Sequence, residues 1–159
     1  TNEEESARLL RELKKQGWNK PVIGETTLTG QKVIELAGDA ANGAVAHVGL
    51  TVDAPIPEML KFKAKYYQAY GSISDHNGIK GYTSVYVLKA AIEKAGKIDR
   101  KAVAQALHGI HVSAKKYPGV IMDVSFDDKG DLDRESFLVE VKNGRQVVTA
   151  TLPALNAKK

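Results

Sequence analysis

Residues 5–25 read ESARLLRELKKQGWNKPVIGE, and the order of signals in that stretch decides the fold class. Leu9, Leu10 and Leu13 recur at the spacing of one helical face. Asn2 stands three residues before Glu5, a pairing that satisfies two helix N-terminal amides reciprocally. Lys14 and Lys15 fall in the last turn, where cations meet the negative end of the helix dipole. Gly17 supplies the left-handed residue that stops the helix, and Trp18 is expected to fold apolar surface back onto it. Pro21-Val22-Ile23-Gly24 then reads as a short buried strand, with Glu25, Thr26 and Thr27 at its C-terminal end.

Working outward, a second helix is expected over residues 29–37, stopped by Gly38. A turn covers 39–43 and an apolar strand covers 44–51. Helix, strand, helix, strand implies a parallel sheet covered by helices, an α/β class. The character changes over Val52 to Pro57, where two prolines flank Ile56 and oppose helix before Pro57. Pro57 suits a first helical position, and that helix should run to Tyr70 and end at Gly71. After a polar loop, a long helix places Ile79, Tyr82, Val85, Leu88 and Ile92 near one face and ends at Gly96. Asp99 should cap the next helix, with Ile98 and Val103 as a hydrophobic staple.

The remainder is β-like. Val120, Met122, Val124 and Phe126 alternate with period two, as do Phe137, Val139 and Val141. Asn143-Gly144 is a two-residue hairpin signal, so a β-hairpin is expected near the C-terminus. Residues 154–159 read as a frayed tail. A helix with no strand before it, and only two helix–strand units, imply that the chain is part of a larger fold.

Composition excludes several classes. The 159 residues carry a net charge of +4 and no cysteine, so neither disulfides nor thiolate metal sites are available. The lysines occur as scattered pairs rather than as a basic stripe with interleaved aromatics, which argues against nucleic acid. Thr1 to Glu5 reads as a helix start rather than a secretory leader. His108 and His111 have Gly109 between them and no third ligand. Asp127, Lys129, Asp131 and Asp133 resemble a calcium loop, but Lys at the third position and glycine at the fourth spoil it. Neither a phosphate loop nor a nucleophile motif occurs. No metal, no cofactor and no catalytic residue are therefore expected, and the chain reads as a non-enzyme.

Several stretches carry a family resemblance. The helix–glycine–strand unit of residues 5–24 is one. Ala37-Gly38-Asp39-Ala40-Ala41-Asn42-Gly43, the helix from Gly81-Tyr82-Thr83-Ser84-Val85 to Gly96, and Phe126-Asp127-Asp128-Lys129-Gly130-Asp131-Leu132 are the others. In this order they resemble the C-terminal part of type I periplasmic solute-binding proteins, the leucine/isoleucine/valine-binding family. The resemblance implies a partial type I periplasmic-binding-protein fold with three-layer parallel-sheet lobes. Residues 1–51 and 119–156 would belong to the second lobe and 57–112 to the first. Residues 52–56 and 113–118 would be hinge crossings. The N-terminal half of the protein would supply the rest.

The same resemblance implies function. The expected role is the substrate-binding component of an ABC importer, for branched-chain or other hydrophobic amino acids or related carboxylates. A membrane permease would be the partner and the location periplasmic or extracytoplasmic. A ligand-sensing regulatory domain on the same fold, or an α/β transferase, are the alternatives. A buried zwitterion needs a carboxylate for its ammonium. Glu25 stands at the carboxyl end of a strand, where open α/β sheets bind ligands. The resemblance places the family's amine-binding glutamate in this loop, with Thr26 at the aligned position. Thr26 could donate a hydroxyl. His76 and Asn77 open the long helix, and Asn77 falls near a family pocket-wall position. Helix capping is the structural alternative for Glu25, Thr26 and Asn77. Tyr82 reads as packing, and Thr1 and Asn2 lie near another family contact.

Overall fold

The computed structural model describes residues 2–155; Thr1 and 156–159, including most of the expected tail, lie outside the described residues. The helices are α1 (Glu3–Lys15), α2 (Gln31–Ala37), α3 (Pro57–Tyr70), α4 (His76–Ala95) and α5 (Arg100–Leu107). The strands are β1 (Val22–Glu25), β2 (Ala44–Val48), β3 (His111–Val112), β4 (Val124–Phe126), β5 (Leu132–Asp133), β6 (Ser136–Lys142) and β7 (Arg145–Leu152). Short 3-10 turns occupy Thr26–Thr29, Gly38–Ala41 and Pro118–Val120. The chain forms two compact units. The first takes residues up to Ala54 together with Ser136–Leu152, and the second takes Pro55–Glu135 and the residues from Pro153.

In the first unit, α1 starts on the expected reciprocal cap. The Glu5 amide donates to Asn2 Oδ1 at 2.8 Å, and the Asn2 amide donates to Glu5 Oε2 at 3.0 Å. It ends at Gly17, whose φ is +70°. The Trp18 amide then returns to the Leu13 carbonyl at 2.9 Å, which satisfies one of the last orphan carbonyls. The Trp18 ring stays 53% exposed, so the expected apolar fold-back is not made.

The sheet of this unit has the order β1-β2-β6-β7. β1 and β2 pair in parallel, as the helix–strand alternation implied, with Val22 opposite Ala44 and Glu25 opposite His47. β6 lies antiparallel to β2, and β7 antiparallel to β6. The hairpin turns through Asn143 and Gly144 with φ of +51° and +71°, the doubly left-handed geometry that matches strand twist. One sheet face carries Ala44 and Val141 into a core with Ala7 and Leu10 of α1 and Val33, Ile34 and Ala37 of α2. Each fully buried valine, leucine or isoleucine here contributes about 1.5–3 kcal/mol. The opposite face carries Ile23, which is 75% exposed.

In the second unit, Pro57 opens α3 and Gly71 closes it in the left-handed conformation. Phe62 of α3 packs its ring 4.9 Å from that of Tyr82 on α4. The Asp99 side chain caps α5 by accepting from the Ala102 amide at 2.9 Å. The Ile98 partner of the expected staple is 91% exposed, so that staple does not form. Lys94 Nζ donates to the Ala106 carbonyl at 3.0 Å and ties α4 to the last turn of α5. A small antiparallel sheet has the order β3-β4-β5. Its Val112 and Val124 share a core with Ala90, Ala91, Ile110 and Val120.

That core groups residues within this chain into units that differ from the lobes expected of the whole protein. Residues 119–135, expected beside 1–51, belong with α4 and α5, and 113–118 lie inside the second unit. The chain passes between units at Ala54–Pro55, close to the expected proline-rich break, and again at Glu135–Ser136. From Pro153 it belongs to the second unit, where the Leu155 amide donates to Asp133 Oδ1 at 2.7 Å. The alternation over 120–126 also proves only half a strand. Pro118 starts a 3-10 turn, and Ile121 takes a φ of +70°, which breaks any ladder before Val124.

Candidate ligand-binding site

The end of β1 is shaped by Gly24. A Cβ there would lie 2.8 Å from Leu28 Cδ2, so the absence of a side chain lets the strand close tightly onto the 3-10 turn. Glu25 follows with extended backbone and opens that turn, but its side chain makes no capping hydrogen bond. The capping role open to it from sequence is not realised. Its carboxylate is exposed at the carboxyl end of a parallel strand, level with His47 on β2. Thr26 is half-buried at the first position of the turn, and the turn has no side-chain cap.

Beneath this loop lies a polar network that sequence reasoning did not find. Gln146 of β7 donates its Nε2 to both the carbonyl and Oγ1 of Thr29, each at 2.9 Å. Its Oε1 accepts from Thr51 Oγ1 at 2.6 Å, and Thr51 Oγ1 accepts from the Asp53 amide at 3.2 Å. Thr29 is fully buried. One amide therefore fixes the Glu25 loop and the segment that leaves β2. The partners are 117 and 95 residues from Gln146 in sequence, so no local pattern could have signalled it.

His76 and Asn77 stand in the second unit, at the first turn of α4, apart from Glu25 and Thr26 in the chain's division. The N-cap is neither of them but Asp75, whose Oδ1 accepts from the Gly78 amide at 2.8 Å. Asn77 Nδ2 donates to Asp75 Oδ2 at 3.3 Å and so braces the cap. Asn77 as the cap itself, one sequence reading, is thereby corrected. Partial burial pushes the Asp75 carboxyl up, but the Gly78 amide, the neighbouring His76 charge and the Asn77 contacts together hold it below its ordinary value.

Removing this cap should be measurable. Asp75→Ala is expected to cost about 1 kcal/mol of stability, read as a fall in the urea midpoint. The direction of the pH effect follows from the lowered pKa. The stabilisation is complete above the unfolded carboxyl value, about 3.9, and is lost as pH falls through the lower folded value. The variant should therefore converge on the parent only in strong acid.

Tyr82 behaves as packing. Its ring packs at a tilt against Phe62 and lies 5.2 Å from Tyr86. The hydrogen bond to Tyr86, with burial, pushes its hydroxyl pKa up to about 12. The acidic hairpin is also accounted for. Asp127 Oδ1 accepts from the amides of Lys129 and Asp131, both at 2.8 Å, and His108 Nδ1 contacts the Asp128 carbonyl at 2.8 Å.

The fold does bring together one arrangement that the sequence reading lacked. Cross-strand pairing sets Ser125 Oγ 2.8 Å from His111 Nδ1, with Asp123 Oδ2 3.6 Å from His111 Nε2. A nucleophilic serine needs a tight base–carboxylate hydrogen bond on the far ring nitrogen. Here that distance is too long for a hydrogen bond, and Asp123 spends its other oxygen on the Ala114 amide at 2.8 Å. Both His111 and Asp123 are exposed. The group is a surface pairing that pins the β3–β4 edge.

Comparison with known proteins follows the same lines. A sequence profile described as periplasmic binding protein matches residues 2–146. The leucine-, isoleucine-, valine-, threonine- and alanine-binding protein of Pseudomonas aeruginosa is 30% identical over 138 residues, covering 85% of this chain and 35% of that protein. A Leu/Ile/Val-binding protein of Rhizobium johnstonii is 31% identical over 147 residues, covering 92% of this chain and 38% of its own length. The crystal structure of a leucine-binding protein from Thermotoga maritima superposes with a TM-score of 0.82 at 24% identity, over 96% of this chain and 43% of that one. The type I periplasmic-binding-protein fold is thus shown, and the chain spans little more than a third of the curated relatives it matches.

Proposed function

Because this chain belongs to the periplasmic binding protein family, of the leucine/isoleucine/valine-binding kind, we propose that it is the C-terminal portion of an extracytoplasmic solute receptor for an ABC importer. Its ligand would be a hydrophobic amino acid or a related small carboxylate. The observation that carries this reading is Glu25, an exposed carboxylate with no capping duty at the carboxyl end of a parallel strand.

The chemistry is direct. An ammonium leaving water needs a fixed anion, and Glu25 supplies one on a loop braced by Gln146. Thr26 would offer a hydroxyl beside it. The Pseudomonas aeruginosa relative is named for binding leucine, isoleucine, valine, threonine and alanine, all with an α-amine and a small or apolar side chain. The two compact units would be portions of the two lobes, with the passages at Ala54–Pro55 and Glu135–Ser136 among the hinges. His76 and Asn77 would contribute when the whole receptor closes on its ligand. A membrane permease would then read the closed form.

The test uses the whole-length protein, leucine, and 4-methylpentanoate, which is leucine without its amine. Glu25→Ala should weaken leucine binding in calorimetry at least ten-fold, in line with losing a charge-assisted hydrogen bond of roughly 1.5–3 kcal/mol. Binding of 4-methylpentanoate should be unchanged or improved. Equal effects on both ligands, or none on leucine, would remove Glu25 from the site.

A further inference from the structure

Away from Glu25, the second unit holds a cavity of about 640 Å³ walled by α4, α5 and the β4–β5 hairpin. Its lining includes Lys80, Lys129 and Arg134 and contains neither an aspartate nor a glutamate. Leu88, Leu107 and Phe126 make part of its apolar wall. Three cations around a largely apolar hollow, with no acid among them, form an unusual surface. Basic side chains near aspartates normally pair with them, and this hairpin is rich in aspartate.

Two of the four hairpin aspartates are engaged elsewhere, and none of the four lines the cavity. Asp127 accepts two backbone amides, and Asp133 Oδ1 accepts the Leu155 amide. Among the described residues no ion pair or hydrogen bond to the half-buried Arg134 guanidinium is seen, and its partial desolvation pulls its pKa down. A guanidinium held away from solvent without an anion is costly, and a carboxylate matches its planar fork in bidentate fashion. The volume lies within the range of about 300–1,000 Å³ usual for small-molecule pockets, which combine an apolar lining with a few placed polar groups.

We infer that this cavity is a second ligand site, independent of the Glu25 loop, for an amphiphilic organic anion whose carboxylate meets Arg134, Lys80 and Lys129 and whose hydrocarbon body lies along Leu88, Leu107 and Phe126. An inorganic anion would leave the apolar wall unused, and a neutral hydrocarbon would leave Arg134 unpaired. The ligand class follows from needing both.

Octanoate is a suitable probe, added to the whole-length protein and followed by calorimetry and amide chemical shifts. The expected result is saturable binding, with shifts at residues 80–88 and 124–134 and none at residues 22–29. Octanamide and inorganic phosphate should each bind at least ten-fold more weakly. Arg134→Gln should weaken octanoate at least ten-fold. Lys129→Gln, an exposed loop change that leaves the fold intact, should weaken it by about three-fold. Glu25→Ala should leave it unchanged. Absence of saturable octanoate binding at millimolar concentration would overturn the assignment. So would octanamide or phosphate binding as tightly as octanoate, or indifference to both cationic substitutions.

Discussion

Gly119→Ala should destabilise the second unit by about 3 kcal/mol, the upper part of the range for forcing extra volume into a packed core. A Cβ at this position would lie 2.2–2.3 Å from three atoms of the Tyr86 ring, far inside van der Waals contact. The ring has little room to retreat. Tyr82 packs against it with a tilted ring 5.2 Å away, and the ring borders the core of Ala90, Ala91, Val112 and Val120. Hydrogen exchange should show the loss in the amides of α4 and of residues 110–126, with α1 and the β1–β2 sheet little affected. A double-mutant comparison identifies the cause. In a Tyr86→Ala background, Gly119→Ala should cost close to nothing. If the full penalty persists there, the clash with Tyr86 is not its origin.

Gln146→Ala should cost the first unit about 3 kcal/mol. The substitution leaves Thr29, which is fully buried, without its side-chain partner and removes the acceptor of Thr51 Oγ1. Each stranded buried polar group costs roughly 1–3 kcal/mol. Gln146→Glu is the sharper variant. It keeps the length and can still accept from Thr51, but it cannot donate to the Thr29 carbonyl, which would then face a carboxylate. It should therefore be no better than alanine at neutral pH. Urea unfolding followed by hydrogen exchange should place both losses in the 22–54 and 136–152 amides. A Gln146→Glu protein as stable as the parent would show that donation to Thr29 contributes little. Because Gln146 braces the Glu25 loop, either variant should also loosen ligand binding in the whole-length protein without touching the ligand.

These two sites mark where reading along the chain runs out. The first helix, its reciprocal cap and its glycine stop were legible because each signal lies within a few residues of its partner. The same holds for Asp99 capping α5 and for the left-handed Asn143-Gly144 turn. Ile98 failed as a staple because its packing depends on what α5 rests against, and spacing alone does not specify that. The end of α4 is subtler. His76 and Asn77 are polar residues at the helix start, but Asp75 is the residue whose backbone is extended and whose carboxylate reaches the Gly78 amide.

The candidate site divides in the same way. Glu25 was legible from its place after a short apolar strand, together with the family resemblance. Only the folded chain shows that its carboxylate does not cap the turn and that His47 stands beside it. The segment 119–135 went to the other unit because its valines fill the hollow beside Ala90 and Ala91, a fit decided by shape rather than by order.

By itself, then, the sequence determined most element types, the ends of α1 and α3, the parallel β1–β2 unit and the family. Those properties rest on local backbone preferences and on hydrophobic periodicity, both of which act over a few residues. The tertiary structure alone decided the Gln146 network, the close approach of Gly119 to Tyr86, the Ser125–His111–Asp123 surface pairing and the cationic cavity around Arg134. Each of these joins residues distant in the chain or on separate elements, and whether they meet depends on how strands and helices pack.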